Sequence, residues 1–484
     1  MKKFWIVMLA VGLFMAFTMP AIAAVGGADV KFSGTLRMRG WYDDNQTLMK
    51  EKDVNGAGIL TAKDSQAFYD NRLRMQIDFK VAEGLALVTR FDALEKKWGQ
   101  TGINPSVNPA AYSATAGYQG STTAQADSVS FERAYVDFNP GIGSFHVGYQ
   151  DFSRFGTVMG NSDASYAGIK YIGTFGAATL IAAMEKRAEN LAAGTTRITT
   201  AGDKTSFDAD VYDLGVVYRF TGGDAGILYQ YINDRTNSYP VANAYKRTIN
   251  VLDPYVKFKS GPFYLEAEAG YVFGKWNEYD RTVTAAATKD VDLGASFAYL
   301  NAQVDFKPFY AGVKFVYASG DDPATQDKKE GSILTDLSLG QDHDFALMYG
   351  NYEFFNQVGT WSAAAANVAA AGGANNLSSA RTTVSYGIDN AIAYQGYVGM
   401  KPTPKLDMFL AYTYITAQQK PNTNWQSADI GQEVDLRATY KIFDNLTYTI
   451  GAGYFFTGDY FKGTSTTAKV DNDYLLMHQL LLSF

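Results

Sequence analysis

From Gly431 to Tyr460 the chain reads GQEVDLRATYKIFDNLTYTIGAGYFFTGDY, and from Val434 its residues alternate without a break. Val434, Leu436, Ala438, Tyr440 and Ile442 share one parity, while Glu433, Asp435, Arg437, Thr439 and Lys441 share the other. After Phe443, Asp444 and Asn445 the pattern resumes. Leu446, Tyr448, Ile450, Ala452, Tyr454 and Phe456 are opposed to Thr447, Thr449, Gly451, Gly453 and Phe455. A period of two belongs to a strand, whose successive side chains point to opposite faces. Asp-Asn between two such runs signals a tight turn. The segment therefore reads as a long antiparallel hairpin with one apolar face and one charged, hydroxylated or glycine-bearing face. Each arm has about the length that a tilted strand needs to cross a bilayer.

The same unit recurs along the chain. A first strand is expected from Asp29 to about Tyr42, with Phe32, Leu36 and Met38 facing one way. Lys31, Ser33, Thr35, Arg37, Arg39 and Trp41 face the other. Eight short turns follow, near 81–84, 139–143, 173–176, 221–224, 260–261, 307–308, 402–405 and 444–445, and a last strand spans about Asn472 to Phe484. Eight hairpins plus the first and last strands predict an all-β, transmembrane antiparallel β-barrel of about eighteen strands, with a margin of two. An even count lets both termini lie on one side. Nine longer polar segments alternate with the short turns, near 44–66, 96–128, 154–164, 188–207, 235–247, 275–291, 320–390, 418–430 and 459–471. Short turns belong to the periplasmic side of such a barrel and long loops to the extracellular side. The 320–390 segment carries an Ala/Gly-rich run and the less regular HDFALMYGNYEFF. That patch reads either as one more hairpin or as a segment folded inward.

Composition bears on the alternatives. Among 484 residues there are 33 Tyr, 31 Phe, 46 Gly and 12 Pro, and 19% are charged. Beyond the N-terminus no apolar run reaches the roughly 18 residues of a transmembrane helix, whereas a barrel needs apolar residues at only every second strand position. Residues 1–23 read as a signal peptide: Lys2 and Lys3, an apolar stretch from Phe4 to Met19, then Ala21-Ile22-Ala23. Residues 24–484 are then the barrel. Losing the two lysines takes the formal charge from −7 to −9. With no cysteine there is no disulfide, thiolate-metal site or covalent c-type haem. Aromatic residues suggest two belts: Phe79, Phe138, Phe175, Phe220, Phe258, Phe263, Phe306, Phe309 and Phe443 beside the short turns, and Trp41, Trp98 and Trp276 at the long-loop ends.

An arginine facing lipid at the bilayer midplane costs roughly 2–4 kcal/mol, so the charged parity must face the interior. It places a basic wall of Arg37, Arg39, Arg72, Arg74, Arg90, Arg133 and Arg437 in the pore, with Lys31, Lys80 and Lys441 on the same face. Glu266, Glu268 and Asp305 form an acidic wall about halfway round, and Asp78, Asp92, Asp137, Glu433 and Asp435 lie among the arginines. Two readings stay open. A transverse field could orient polar solutes and favour anions, or the charges could neutralise one another in a hydrated lumen. His146, His343 and His478 have no acidic company at metal-ligand spacing, and no nucleophile or phosphate-loop signature occurs. No metal, cofactor or nucleic-acid partner is expected, although the acidic tips 319–322 and 471–473 have oxygen ligands of the kind calcium takes.

The terminal strand DYLLMHQLLLSF, ending on Phe484, resembles the closing signal of bacterial outer-membrane porins. GQEVDLRATYKIFDNLTYTIGAGYFFTGDYF and FERAYVDFNPGIGSFHVGYQDFSRFG are similar to hairpins of the alginate-export-like porins. The resemblance implies a channel in the outer membrane of a Gram-negative bacterium, passing small hydrophilic, anionic solutes by diffusion. It also implies insertion by the barrel-assembly machinery, contact with outer-membrane lipid, and no enzymatic activity. Whether the barrel forms a homotrimer is open. The other readings are a structural sleeve or scaffold for a surface or electron-transfer complex, and a barrel enzyme.

Overall fold

The computed structural model describes residues 29–48, 65–98, 129–152, 154–160, 164–189, 208–238, 243–280, 288–331, 334, 345–363, 383–384 and 387–484. The expected signal peptide and His343 lie outside these residues. Strands β1 (Asp29–Asp43), β2 (Gln66–Ala82), β3 (Leu85–Lys97), β4 (Val129–Phe138), β5 (Ser144–Asp151) and β6 (Ser165–Phe175) come first. They are followed by β7 (Ala178–Ala188), β8 (Ala209–Phe220), β9 (Gly223–Asp234), β10 (Tyr245–Ser260), β11 (Phe263–Tyr279), β12 (Val291–Phe306) and β13 (Phe309–Ala318). After a long excursion come β17 (Ala391–Thr403), β18 (Leu406–Ala417), β19 (Asp429–Phe443), β20 (Leu446–Thr457) and β21 (Asp473–Ser483).

Each of these strands pairs antiparallel with its neighbours, and β1 closes the ring onto β21 from Thr35↔Ser483 to Asp43↔Leu475. The result is a closed barrel of 18 strands. Closure matters because hydrocarbon offers no partner for an unpaired strand edge. The final residue takes part: Phe484 and Gly34 exchange two backbone hydrogen bonds at 2.8 and 3.0 Å. All eight expected short turns are present, the third falling slightly later, at Gly176 and Ala177. Gly84, Gly176 and Gly261 hold left-handed backbone at these turns, with φ of 70°, 61° and 54°, where a side chain would be strained.

Among the described residues, the excursion from Ser319 to Asn390 adds no strand to the ring of the barrel. β13 pairs directly with β17, from Phe309↔Met400 to Ala318↔Ala391. Within the excursion, β14 (Lys328–Lys329) lies parallel against the start of β12, β15 (Trp361–Ser362) pairs with β16 (Thr383–Val384), and α1 (Tyr352–Gln357) forms a short helix. Of the two sequence readings for HDFALMYGNYEFF, the inward fold is the one observed in its described part.

Side-chain parity follows the sequence. In β19, Leu436 is 56% exposed on the outer face, while Glu433 and Asp435 inside are 0% and 1% exposed. Phe175, Phe263, Phe306, Phe309 and Phe443 ring the short-turn end with exposed aromatics. The opposite belt differs from expectation. Trp98 is outside, stacked on Tyr69 at 4.9 Å. Trp41 and Trp276 are inside, only 5% and 6% exposed. Trp41 donates its indole N–H to Asp70 at 2.6 Å, and Trp276 lies under the Arg247 guanidinium at 4.0 Å. Both sit on the inward parity, and depth along a strand does not override it. Tyr69, Tyr271, Tyr412 and Tyr454 are exposed on the outer face near the long-loop end instead.

Candidate functional site

Among the described residues, two inward segments do most to shape the interior of the barrel. The shorter one, in the β5–β6 connection, buries Phe155 and Met159. It is hung on the wall by Glu268, which accepts the Thr157 backbone N–H, and by Phe155 edge-on to Tyr255 at 5.0 Å. The longer one runs from Phe345 to Trp361. Its backbone N–H groups at Met348 and Tyr349 donate to Glu433 at 2.8 and 2.9 Å, and that of Leu347 donates to Asp435 at 3.2 Å. At the far end Trp361 stacks on Phe455 of β20, centroids 4.4 Å apart. Further round the wall, Gln66 of β2 and Lys97 of β3 donate to the carbonyls of Val358 and Gln357, each at 2.9 Å.

Between these anchors the segment carries its own apolar fill. Phe345 to Tyr349, Phe354, Phe355 and Trp361 join a buried cluster with inward residues of β1, β8 to β13 and β17 to β21. Inside an ordinary pore these positions would be wetted. Here they form a packed core at the long-loop end, and the segment is a filler that narrows the barrel. Asn351 starts the helix by accepting the Phe354 N–H at 3.0 Å. That cap directs Glu353, in the first turn, toward the arginines of β1 and β2.

Beneath the filler lies a cavity of about 500 Å³. Its charged lining is Arg37 and Arg39 of β1, Arg72 and Arg74 of β2, Arg154 of the shorter segment, Arg437 of β19, Asp407 of β18 and Glu353. Polar and aromatic residues such as Tyr310, Tyr352, Phe409, Thr439, Thr449 and Gln479 also line it. Glu353 bridges Arg37 at 2.7 Å, Arg39 at 3.0 Å and Arg72 at 3.6 Å. Burial pushes its carboxyl up, but Arg39, Arg37 and Arg72 more than offset that and hold it well below the usual carboxylate range. Arg39 also pairs with Asp70 at 3.0 Å, and Arg74 binds Asp92 through two donors at 2.7 and 2.8 Å. Arg437 lies over the Phe409 ring at 5.0 Å.

The structure thus gathers Arg37, Arg39, Arg72, Arg74 and Arg437 round one space but not Arg90 and Arg133. Those two are inside the wall elsewhere, Arg90 with Glu132 at 3.7 Å and Arg133 with Asp151 at 3.2 Å. Of the five carboxylates expected among the arginines, Asp92 pairs with Arg74. Asp78 accepts from Gln76 at 3.0 Å, Asp137 accepts the Ser144 hydroxyl beside His146, and Asp435 is covered by the filler. Glu433 is likewise covered, so neither it nor Asp435 is presented to the cavity. On the opposite wall Glu266 accepts from Tyr264, Tyr299 and Asn301 at 2.9 to 3.1 Å, and Asp305 accepts from Gln303 at 2.7 Å.

Three charged cavity residues, Arg154, Glu353 and Asp407, escaped the sequence reading. Arg154 is the most open guanidinium, 48% exposed against 2% for Arg39, and it pairs with Asp151. Glu353 sits in an irregular stretch where parity assigns no face. Among the described residues no group of three or more His, Cys, Asp or Glu is arranged to hold a metal.

No protein-family model matches the chain, and none of the curated proteins compared with it matches either. Solved structures do resemble it in shape. OccAB2 of Acinetobacter baumannii is 11% identical with a TM-score of 0.49, covering 94% of this chain and 98% of that one. OccK2 of Pseudomonas aeruginosa, solved in complex with glucuronate, is 13% identical with a TM-score of 0.47, covering 96% and 99%. The outer membrane channel DcaP of Acinetobacter baumannii is 14% identical with a TM-score of 0.40, covering 96% and 100%.

Proposed function

We propose that the chain is an outer-membrane porin of a Gram-negative bacterium, a water-filled channel for passive diffusion of small hydrophilic solutes with a bias toward anions. One observation carries the reading. A closed wall that is apolar outside encloses a cavity lined by guanidinium groups, an arrangement that suits lipid on one side and charged solutes on the other. An empty 18-strand barrel would leave a wide aqueous pore. The filler reduces it to a passage for small molecules.

The charge balance sets how strong the bias is. Six arginines line the cavity with Glu353 and Asp407, and Asp70, Asp92, Glu95 and Asp151 stand directly behind them. Asp151 is shared with Arg133 and Asp407 with Lys401, so a weak positive excess remains and the channel prefers anions without excluding cations. The affinity with alginate-export-like porins, insertion by the assembly machinery at the Phe484 strand and cleavage near Ala24 belong to the same proposal. The packed interior speaks against the sleeve reading, because the chain's own side chains occupy the space a separate conduit would need. No enzymatic step is part of the proposal. His146 is stacked on Tyr135 at 4.9 Å, and His478 contacts Tyr69 edge-on at 5.4 Å on the outer face.

The test is conductance in planar bilayers, with the reversal potential read across a salt gradient. The purified protein should conduct with mild anion preference. Joint replacement of Arg72, Arg74, Arg154 and Arg437 by Gln should move the reversal potential toward cations. Absence of any conductance, or a quadruple variant with the parental reversal potential, would refute the reading.

A further inference from the structure

We propose that Glu353 is a resident anion of this channel: a carboxylate supplied by the chain itself that occupies the guanidinium cluster of Arg37, Arg39 and Arg72 and so keeps passing anions from being trapped there. The inference rests on the channel reading and deepens it by naming the residue that sets its selectivity.

The geometry is that of a bound ligand rather than of a wall residue. Glu353 comes from a segment outside the barrel wall, 316 and 314 positions along the chain from Arg37 and Arg39. Arg37 donates to both of its oxygens, to Oε1 at 2.7 Å and Oε2 at 3.3 Å, while Arg39 donates to Oε2 at 3.0 Å and Arg72 stands 3.6 Å from Oε1. Three guanidinium groups converging on one point are a high-affinity site for a carboxylate or phosphate oxygen. A channel with such a site left open would hold each anion it admitted, and conduction requires binding weak enough to release. With Glu353 in place, a passing anion meets Arg74, Arg154 and Arg437 instead. Each of these is offset by its own partner or open to water.

The segment bearing Glu353 is held independently of that carboxylate. Glu433 and Asp435 grip its start, Asn351 caps its helix, and Trp361 stacks at its end. The side chain can therefore change while the backbone stays, and a substitution reads charge rather than collapse. This also distinguishes a fixed selectivity residue from a latch on a moving gate.

The experiment compares parent, Glu353→Gln and Glu353→Asp in planar bilayers, using inorganic phosphate as the probe, with heat-modifiable gel migration confirming a folded barrel. Glu353→Gln keeps the shape and removes the charge. It should shift the reversal potential further toward anions and lower the half-blocking phosphate concentration roughly tenfold, the effect of about 1.4 kcal/mol. Glu353→Asp, which restores the charge on a shorter stem, should return both toward the parent. A folded Glu353→Gln channel with the parental reversal potential and phosphate block would overturn the assignment while leaving the channel reading intact. So would an Asp variant that behaves like the Gln one, since geometry and not charge would then matter. If the parent protein conducts no ions at all, the channel reading fails and this inference falls with it.

Discussion

At the scale of single residues, the interior is governed by parity and by what each inward side chain meets. Trp361 shows how much one contact can carry. It is fully buried, stacked on Phe455 and edge-on to Phe354 at 5.8 Å and Phe355 at 5.2 Å. Truncating a buried aromatic of this size typically costs about 3–5 kcal/mol. Trp361→Ala should lower the unfolding midpoint of the filler in detergent, read by protease cleavage within residues 345–361 against denaturant, while the barrel keeps its heat-modifiable migration. Equal loss of both would mean that filler and wall unfold as one unit. The misplaced tryptophans belong to this scale as well. Trp41 and Trp276 have the composition of a membrane belt and the parity of the interior, and parity decided, because an inward indole here finds Asp70 or Arg247 as partner.

At the scale of elements, the filler behaves as an attached ligand of the wall. Its carboxylate gives it a defined pH response. The folded Glu353 carboxyl lies below its ordinary value, so its stabilising contribution is complete above the unfolded value of about 4.3 and fades only as pH falls through the lower folded one. The difference in thermal midpoint between the parent and Glu353→Gln should therefore stay constant between about pH 5 and about pH 7. A difference that shrank across that interval would show a carboxyl titrating in its normal range. Proximity of filler and wall can be tested directly, since the chain has no cysteine to interfere. A Cβ at Gly453 would stand 3.5 Å from the Leu347 Cβ, within the range a disulfide bridges. The pair Leu347→Cys and Gly453→Cys should crosslink on mild oxidation, seen as a mobility shift on a non-reducing gel. Failure to crosslink in the folded barrel would put the filler elsewhere.

At the scale of the molecule, the wall sorts solvent. Leu436 faces out at a strand centre, and Thr439 faces the cavity from the same strand. Leu436→Arg should destabilise the barrel by roughly 2–4 kcal/mol in lipid, measured by urea unfolding in vesicles. Thr439→Arg should leave stability nearly unchanged and shift the reversal potential toward anions. The reverse ranking would place lipid and water on the wrong sides of the sheet.

Alternation alone determined the wall: its strands, its eight tight turns, its closure on Phe484 and the inward direction of every arginine named from the sequence. That information is local, because each residue's face is set by its neighbour two positions away. The site is not local. Glu353 meets Arg37 across 316 positions, Arg154 reaches the cavity from an irregular connection, and the excursion past Ser319 fills a space that only exists once the ring has closed. An irregular segment has no period to read. Where it goes is decided by the shape and charge of the cavity that receives it, so the wall could be read from the sequence while the contents of the lumen required the tertiary structure.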